Sequence, residues 1–232
     1  MKRTIAIRLA PTDEQSEKMA RLQATFAAAC NAVAELAFAQ KCSNRVKLHH
    51  LAYYAVRERF PALGSQMACN AIAAVARSLK AHRANGRPWQ TIGFRSDASV
   101  HVDARTFGLC GAVASLFTMA GRERVHLRIG RFQQAYLDRG RVREAELLCK
   151  RGRWYLHVVL EVPDPAVSQS RIVFGIDLGE NVVAATSNGR LYGGGQLRET
   201  RDRFLAFRKR LQGNGSQSAR QLLARVSGRE SR

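Results

Sequence analysis

The residue with the clearest capacity for chemistry is Asp177, which ends an apolar run inside the sequence Gly175-Ile176-Asp177-Leu178-Gly179. A carboxylate in such a run is costly unless a partner offsets its desolvation. The flanking glycines allow a phosphate or its metal to approach the backbone. One interpretation is therefore a ligand for a hard cation, because Mg²⁺ prefers carboxylate oxygens. The other is a strand-end aspartate that accepts hydrogen bonds from neighbouring backbone amides.

The charge of the chain indicates what kind of partner it has. Its 232 residues contain 38 Lys and Arg against 18 Asp and Glu, a formal net charge of +20, and 31 of the 38 basic residues are arginines. This excludes an acidic enzyme surface. A high net charge can simply keep a protein soluble, but it also attracts polyanions through counterion release. Arginine forks suit phosphates and bases, which favours nucleic acid over a membrane surface.

Two clusters of basic residues are candidates for contacts with nucleic acid. The first lies in and just after a predicted helix, and the second lies in a basic helix near the end of the chain. For both clusters the alternative is an ordinary solvated face. The members of the two clusters are Arg77, Lys80, Arg83 and Arg87, and then Arg198, Arg201, Arg208, Lys209 and Arg210.

The cysteines and the hydropathy indicate in which cellular compartment the chain is expected to act. The five cysteines are odd in number and no two are spaced as a CxxC pair, so neither a disulfide framework nor a CxxC zinc site is supported. The simplest interpretation is that the cysteines are reduced thiols in a cytoplasmic protein. No run of 18 apolar residues occurs, so no transmembrane helix and no membrane partner are expected.

Hydrophobic periodicity predicts the elements that position these residues. A strand at 4–9 precedes three helices, a β-rich region at about 90–162 follows, and a linker leads to three short strands and basic helices. Thr12 and Gln15 have capping-box spacing at the first helix. Lys150-Arg151-Gly152-Arg153 and Asn188-Gly189 are hairpin turns. The predicted helices are 12–39, 48–60, 65–82 and 196–211, with another from about 217.

Two protein families share the signature around Asp177. The actin and heat-shock ATPases have a similar strand and glycine hairpin around nucleotide phosphates, and RuvC-like nucleases use such an aspartate as their first metal ligand. The ATPases carry the motif near their N-terminus, whereas only 55 residues follow it here. The strongly basic composition and the arginine-rich helix after the hairpin favour the nuclease. A phosphate-binding ATPase of the actin-like fold remains the third interpretation.

The chain as a whole resembles the TnpB family, the transposon-encoded RNA-guided nucleases related to type V CRISPR effectors. The resemblance rests on the N-terminal strand, the helical insertion, the β-rich segment, the block around Asp177, the hairpin through Asn188-Gly189 and the basic helices. It implies an α+β fold: a β-barrel-like wedge domain with an inserted helical recognition lobe, then the first part of an RNase H-like (RuvC) domain. The implied boundaries are 1–10 and 90–165 for the wedge, 11–89 for the lobe and 171–232 for the partial RuvC domain.

The resemblance implies an RNA-guided DNA endonuclease that binds guide RNA and target DNA and uses Mg²⁺ at Asp177. The family's second and third carboxylates and its zinc ribbon do not appear before Arg232, and Glu199, Asp202 and Glu230 are poor substitutes. Two-metal cleavage needs several carboxylates. We therefore expect the N-terminal part of such a nuclease, inactive by itself. The alternative is a non-cleaving, repressor-like protein or fragment that binds guide RNA and DNA.

Overall fold

The structure is a computed structural model that describes residues 1–164, 173–179 and 181–226. Most of the predicted linker, 165–170, and the predicted helical ending at Ser227-Gly228-Arg229-Glu230 lie outside the described residues. The chain divides into two compact units, Met1–Pro165 and Ala166–Arg232. We describe each unit by itself.

The first unit is built around a seven-stranded sheet in the order β2-β6-β7-β1-β5-β4-β3, with every neighbouring pair antiparallel. Its two edge strands are joined by residues 104–106 alone, and the amide of Phe117 donates to the carbonyl of Thr106 at 2.8 Å. The sheet is therefore nearly closed. Its strands are β1 (Lys2–Ala10), β2 (Val100–Asp103), β3 (Phe107–Cys110), β4 (Val113–Thr118), β5 (Gly121–Arg128), β6 (Arg141–Lys150) and β7 (Arg153–Glu161).

Alternation along the strands separates an inner apolar face from an outer polar face. In β1 the side chains of Ile5, Ile7 and Leu9 are buried, as the period-two pattern predicts. Ile7 lies opposite Leu156 and Leu9 lies opposite Leu127, so the buried residues of neighbouring strands meet on one side of the sheet. This register fixes which side chains of the other face reach solvent.

Four α-helices belong to the described part of this unit, and a 3-10 helix at Pro61–Leu63 lies between the second and the third: α1 (Asp13–Ala39), α2 (Arg45–Arg59), α3 (Gly64–Ala84) and α4 (Arg131–Arg139). The capping box of α1 is confirmed, because Thr12 and Gln15 each donate a backbone amide to the other's side chain at 3.2 Å. Helix α2 begins at Arg45 and not at the predicted 48, because Asn44 Oδ1 accepts from the amides of Val46 and Lys47 at 3.0 and 3.1 Å.

Helices and strands share one hydrophobic core, which includes Met19, Phe26 and Ile72 from the helices and Leu156 and Val158 from β7. By length and composition α1 could cross a membrane. In the structure, however, its apolar stripe is buried against α3 and the sheet, and Trp154 Nε1 donates to Ser16 Oγ at 2.8 Å. The helix therefore acts as the central core helix of this unit.

The hairpin between β6 and β7 is confirmed. Arg151 and Gly152 both have positive φ, 53° and 71°, as a primed two-residue turn requires. Strands β3 and β4 and helix α4 were not predicted, since their sequences are short and carry little periodicity. The β-rich region as a whole lies where it was predicted.

The described part of the second unit contains three short antiparallel strands in the order β10-β9-β8 and two helices. The predicted turn at Asn188-Gly189 is confirmed, and Gly189 has φ 81°. Gly215, with φ 65°, ends the first helix, and Ser216 caps the second by accepting from the amide of Ala219 at 3.2 Å. The elements are β8 (Ile176–Asp177), β9 (Val182–Thr186), β10 (Leu191–Gly193), α5 (Gly195–Asn214) and α6 (Gln217–Val226).

Candidate nucleic-acid interface

A basic groove lies in the first unit between the C-terminal half of α3, the start of α2 and the outer face of β2 and β6. Its volume is about 960 Å³. Three of the predicted basic residues line it, because the spacing of three along a helix places them on one side. These residues are Arg77, Lys80 and Arg83, and Arg45 faces them from α2. We call these four residues and the space between them the basic groove.

Arg83 and Arg77 are held in different ways. The guanidinium of Arg83 donates to Ser43 Oγ at 3.3 Å, which ties the end of α3 to the residue before the Asn44 cap. Arg77 Nη2 lies 3.8 Å from Glu146 Oε1, and its side chain is about half exposed. Two carboxylates, Asp103 and Glu144, also line the groove, and its four basic residues leave the lining with an excess of positive charge.

The floor of the groove carries a buried His101 between two glutamates. His101 Nδ1 lies 3.0 Å from Glu146 Oε1, and Nε2 lies 3.6 Å from Glu144 Oε2. Asn70 Nδ2 donates to the His101 carbonyl at 3.3 Å. Burial raises the pKa of Glu146, but hydrogen bonding and charge from His101, with help from Ser99 and Arg77, outweigh it and leave this pKa lowered. The network fixes β2 against β6 beneath the groove.

Arg87 does not line the groove, although it was predicted together with the other three residues. It follows the end of α3, where Gly86 with φ 68° turns the chain. Arg45 was missed, because the helix was predicted to begin at 48 and Arg45 then lay in a loop. The signal that could have found it is the Ser43-Asn44 pair, since asparagine is a preferred N-cap.

Asp177 lies in the second unit on the edge strand β8, opposite Ala185, and is exposed. The strand is held at both ends. Gly175 exchanges hydrogen bonds with Ser187, and the amide of Gly179 donates to the Val182 carbonyl at 3.1 Å. A Cβ on Gly179 would stand 3.0 Å from that carbonyl oxygen, so a side chain at this position would crowd the backbone of Val182.

The described residues do not form a two-metal site around Asp177. Among them, no group of three or more His, Cys, Asp or Glu side chains could hold a metal ion. Glu199 is paired with Arg203, and Asp202 lies 3.8 Å from Arg201, both on α5. These carboxylates are engaged within their own helix. We therefore derive no catalytic step from Asp177 in this chain.

The basic helix α5 carries the second predicted cluster. Arg198 donates to Asn181 Oδ1 at 2.7 Å, which fixes the start of the helix to the loop before β9. Arg210 stands over the ring of Phe207, 5.7 Å from its centroid. Arg208 lines a shallow groove against α6, with Leu223 and Val226. The five residues Arg198, Arg201, Arg208, Lys209 and Arg210 are thus spread along the helix and do not converge on one point.

Comparison with known proteins places the fold. No family model and no curated protein sequence matches the chain. A cryo-EM structure of a CRISPR–Cas12f ternary complex matches with a TM-score of 0.51 and 13% identity, over 94% of this chain and 58% of the Cas12f chain. A Cas12f1–sgRNA–target DNA complex matches with a TM-score of 0.59 and 14% identity, over 95% and 59%.

At this identity the likeness establishes the fold alone. The chain has a mixed helix and sheet architecture with a nearly closed antiparallel sheet, and this architecture matches that of the Cas12f structures. The chain spans about three fifths of the Cas12f chains that it matches. The sequence resemblance was to the TnpB family, and the structural likeness to type V effectors supports the fold that this resemblance implies only at a coarse level.

Proposed function

We propose that this chain is the part of an RNA-guided DNA endonuclease of the TnpB type that binds guide RNA and target DNA. The observation that carries the proposal is the basic groove, since four basic residues from two helices converge on one concave surface in a chain with a net charge of +20. Phosphate contacts of this kind position a nucleic acid without reading its sequence. The likeness to complexes of Cas12f with guide RNA and target DNA supports the same partners.

The proposal also assigns roles to the regions. The nearly closed sheet would be the wedge domain, the helices α1 to α3 the recognition lobe, and the second unit the first part of a RuvC domain. Asp177 would be the first metal-binding carboxylate of the complete nuclease, with Mg²⁺ bound by this and further carboxylates. The place of action would be the cytoplasm.

A filter-binding titration with structured RNA tests the proposal. With 6 to 10 phosphate contacts, affinity should fall by about 10³ to 10⁵ between 50 and 200 mM salt. Absence of RNA affinity at low salt would overturn the nucleic-acid assignment. A tight ATP site without affinity for RNA would instead favour the actin-like ATPase.

The role of Asp177 needs a different experiment, in a longer protein that includes a full set of RuvC carboxylates. Asp177→Ala should abolish DNA cutting there while RNA binding stays within about twofold, because removing one ligand disrupts a two-metal site. Circular dichroism of the variant must match the parent. Cutting at the parental rate would leave Asp177 as a structural residue. Mg²⁺-dependent cutting by the 232-residue chain would show that it already contains a complete site.

A further inference from the structure

The floor of the basic groove contains a histidine that faces a carboxylate with each of its ring nitrogens. His101 Nδ1 lies 3.0 Å from Glu146 Oε1, and Nε2 lies 3.6 Å from Glu144 Oε2. The side chain of His101 is only 8% exposed, so water has little access to either nitrogen. The surroundings of this ring are therefore set by the protein and not by solvent.

A neutral imidazole ring cannot donate to both glutamates. It has one N–H donor and one lone pair, whereas a protonated ring has two donors. In neutral His101, one nitrogen therefore directs a lone pair at a carboxylate oxygen, and these two groups repel each other. With a proton on each nitrogen, His101 faces Glu144 and Glu146 with a donor on both sides. The contacts of this floor are complete only when the ring is protonated.

Glu146 connects this histidine to a basic residue of the groove. Its Oε1 atom lies 3.0 Å from His101 Nδ1 and 3.8 Å from Arg77 Nη2, so an imidazole and a guanidinium share one carboxylate oxygen. Arg77 is about half exposed and lines the groove. A protonated His101 offsets the charge of Glu146 and leaves the guanidinium of Arg77 available to a phosphate.

Further titratable groups surround the histidine and the shared carboxylate. On β7, His157 lies directly opposite Glu146, on the side away from β2. On α1, burial and then the charge of Glu146 raise the pKa of the Cys30 thiol to about 12, so this thiol stays neutral near neutral pH. On β2 itself, the carboxylate of Asp103 accepts a hydrogen bond from α3 at 2.5 Å. His101 differs from these groups because its ring nitrogens face both glutamates of the floor.

A proton on His101 also changes the charge of the groove itself. The charged and titratable residues that line the groove are Arg45, Arg77, Lys80, Arg83, Asp103, Glu144 and His101. With four basic and two acidic residues, the lining has an excess of two positive charges when His101 is neutral, and protonation raises this excess to three. The affinity of a protein for a polyanion rises with the number of positive charges that neutralise phosphates.

Proton binding and anion binding in one groove are reciprocally linked. If a proton on His101 strengthens the binding of phosphates, bound phosphates strengthen the binding of that proton by the same factor. Histidine is the side chain that ordinarily changes its charge between about pH 5 and 8. We infer that the basic groove takes up a proton at His101 when it binds nucleic acid, so that its affinity rises as the pH falls through this range. The inference rests on the proposed function and concerns the regulation of the same groove.

A purely structural role for His101 makes a different prediction. The ring would then only hold β2 against β6, together with the hydrogen bond of 3.3 Å from Asn70 to the His101 carbonyl. Loss of the ring would weaken RNA binding by the same factor at every pH, because binding would exchange no proton there. The ratio of the affinities at two pH values therefore separates the two roles, whereas the affinity at a single pH does not.

The test is filter binding of an RNA hairpin in two buffers of equal salt, an acidic one near pH 6 and an alkaline one near pH 8. The parent chain should bind about tenfold more tightly in the acidic buffer, which lies within the usual range for coupled sites. His101→Gln keeps a donor and an acceptor but takes up no proton, so its ratio of affinities should fall to about 2. The control His50→Gln removes an exposed histidine of α2 and should keep the parental ratio.

Glu144→Gln provides a second test that leaves the buried ring in place. The side chain of Glu144 is 38% exposed, so the substitution does not disturb the core. It removes one negative charge from the groove and one of the two carboxylates that a protonated His101 contacts. The variant should therefore bind RNA about fivefold more tightly in the alkaline buffer and gain less affinity than the parent in the acidic buffer.

The outcomes separate this inference from the proposed function. A parent chain that binds RNA equally in both buffers would overturn the inference and leave RNA binding by the groove intact, and so would a His101→Gln variant with the parental ratio. A parent chain that binds no RNA in either buffer would overturn both proposals. Circular dichroism in both buffers checks the fold of each variant. If the spectrum of His101→Gln differs from that of the parent, the ratio for Glu144→Gln decides, and a parental ratio there would overturn the inference.

Discussion

The two units of the chain differ in how their apolar residues are used. In the first unit Leu156 and Ile7 are fully buried in a core shared by helices and strands. In the second unit the apolar residues of and around β8 face outward, with Val173 89% and Leu178 75% exposed. The first unit therefore has the packing of an independent domain. The second has strands and helices but buries few of its apolar side chains.

The elements that carry the candidate binding surface are therefore packed more tightly than the strand that carries the predicted catalytic residue. The basic groove stands on elements that are fixed by a packed core, so its side chains are positioned before any partner binds. Asp177 stands on a two-residue edge strand, and Ile176 before it and Leu178 after it are both exposed.

A matched pair of leucine substitutions tests the difference in packing between the two units and should give the largest change in the free energy of unfolding. Leu156→Ala removes a fully buried side chain and should lower the free energy of unfolding by about 2–5 kcal/mol, because the lost burial adds to the cost of a cavity. Leu178→Ala, at 75% exposure, should change it by less than about 0.5 kcal/mol. Urea denaturation measures both. Similar losses in the two variants would mean that the second unit is packed as tightly as the first.

Substitutions of one helix-capping residue in each unit test the same difference and should give a smaller change in the free energy of unfolding. Asn44→Ala removes a side chain that accepts two backbone hydrogen bonds at the start of α2, and it should cost about 1 kcal/mol. Ser216→Ala, at the start of α6, removes one such bond. It should lower helix content by circular dichroism and leave the main unfolding transition in place. If Ser216→Ala shifted that transition as much as Asn44→Ala does, the two units would unfold together as one cooperative domain.

The smallest effect concerns the pH dependence of the first unit. The pKa of Glu146 is lowered in the folded chain, despite the opposing effect of burial, by its hydrogen bond and charge interaction with His101. A lowered folded pKa contributes stability above the ordinary value of 4.5, and that stability is lost as the pH falls through the folded value. Glu146→Gln should therefore flatten the decline in stability below about pH 4.5. An unchanged decline would mean that Glu146 titrates as it does in the unfolded chain.

The sequence allowed most of the fold to be predicted where periodicity was long and regular. Helix α1, with its 27 residues and its Thr12 cap, and the β6–β7 hairpin follow directly from spacing and turn residues. Strands β3, with the sequence Phe-Gly-Leu-Cys, and β4, with Val-Ala-Ser-Leu-Phe-Thr, lack a strict alternation of apolar and polar residues, and their pairing depends on tertiary contacts. The same limit explains the missed start of α2.

The candidate site was predicted only in part, because the spacing of residues along one helix does not show which residues of another helix pack beside them. The period of three along α3 predicted Arg77, Lys80 and Arg83 as one group, but Arg45 joins them only when α2 packs beside α3.

The most direct test of the central claim is RNA binding by Arg77→Gln/Lys80→Gln/Arg83→Gln, three changes confined to the basic groove. Arg57→Gln/Arg59→Gln/Lys41→Gln, which removes three charges elsewhere on the first unit, is the control. The account predicts that the groove variant binds guide-like RNA about 100-fold more weakly at salt near 0.15 M, with a salt slope lower by about 3. A groove variant that binds as tightly as the control, with an unchanged slope, would contradict it.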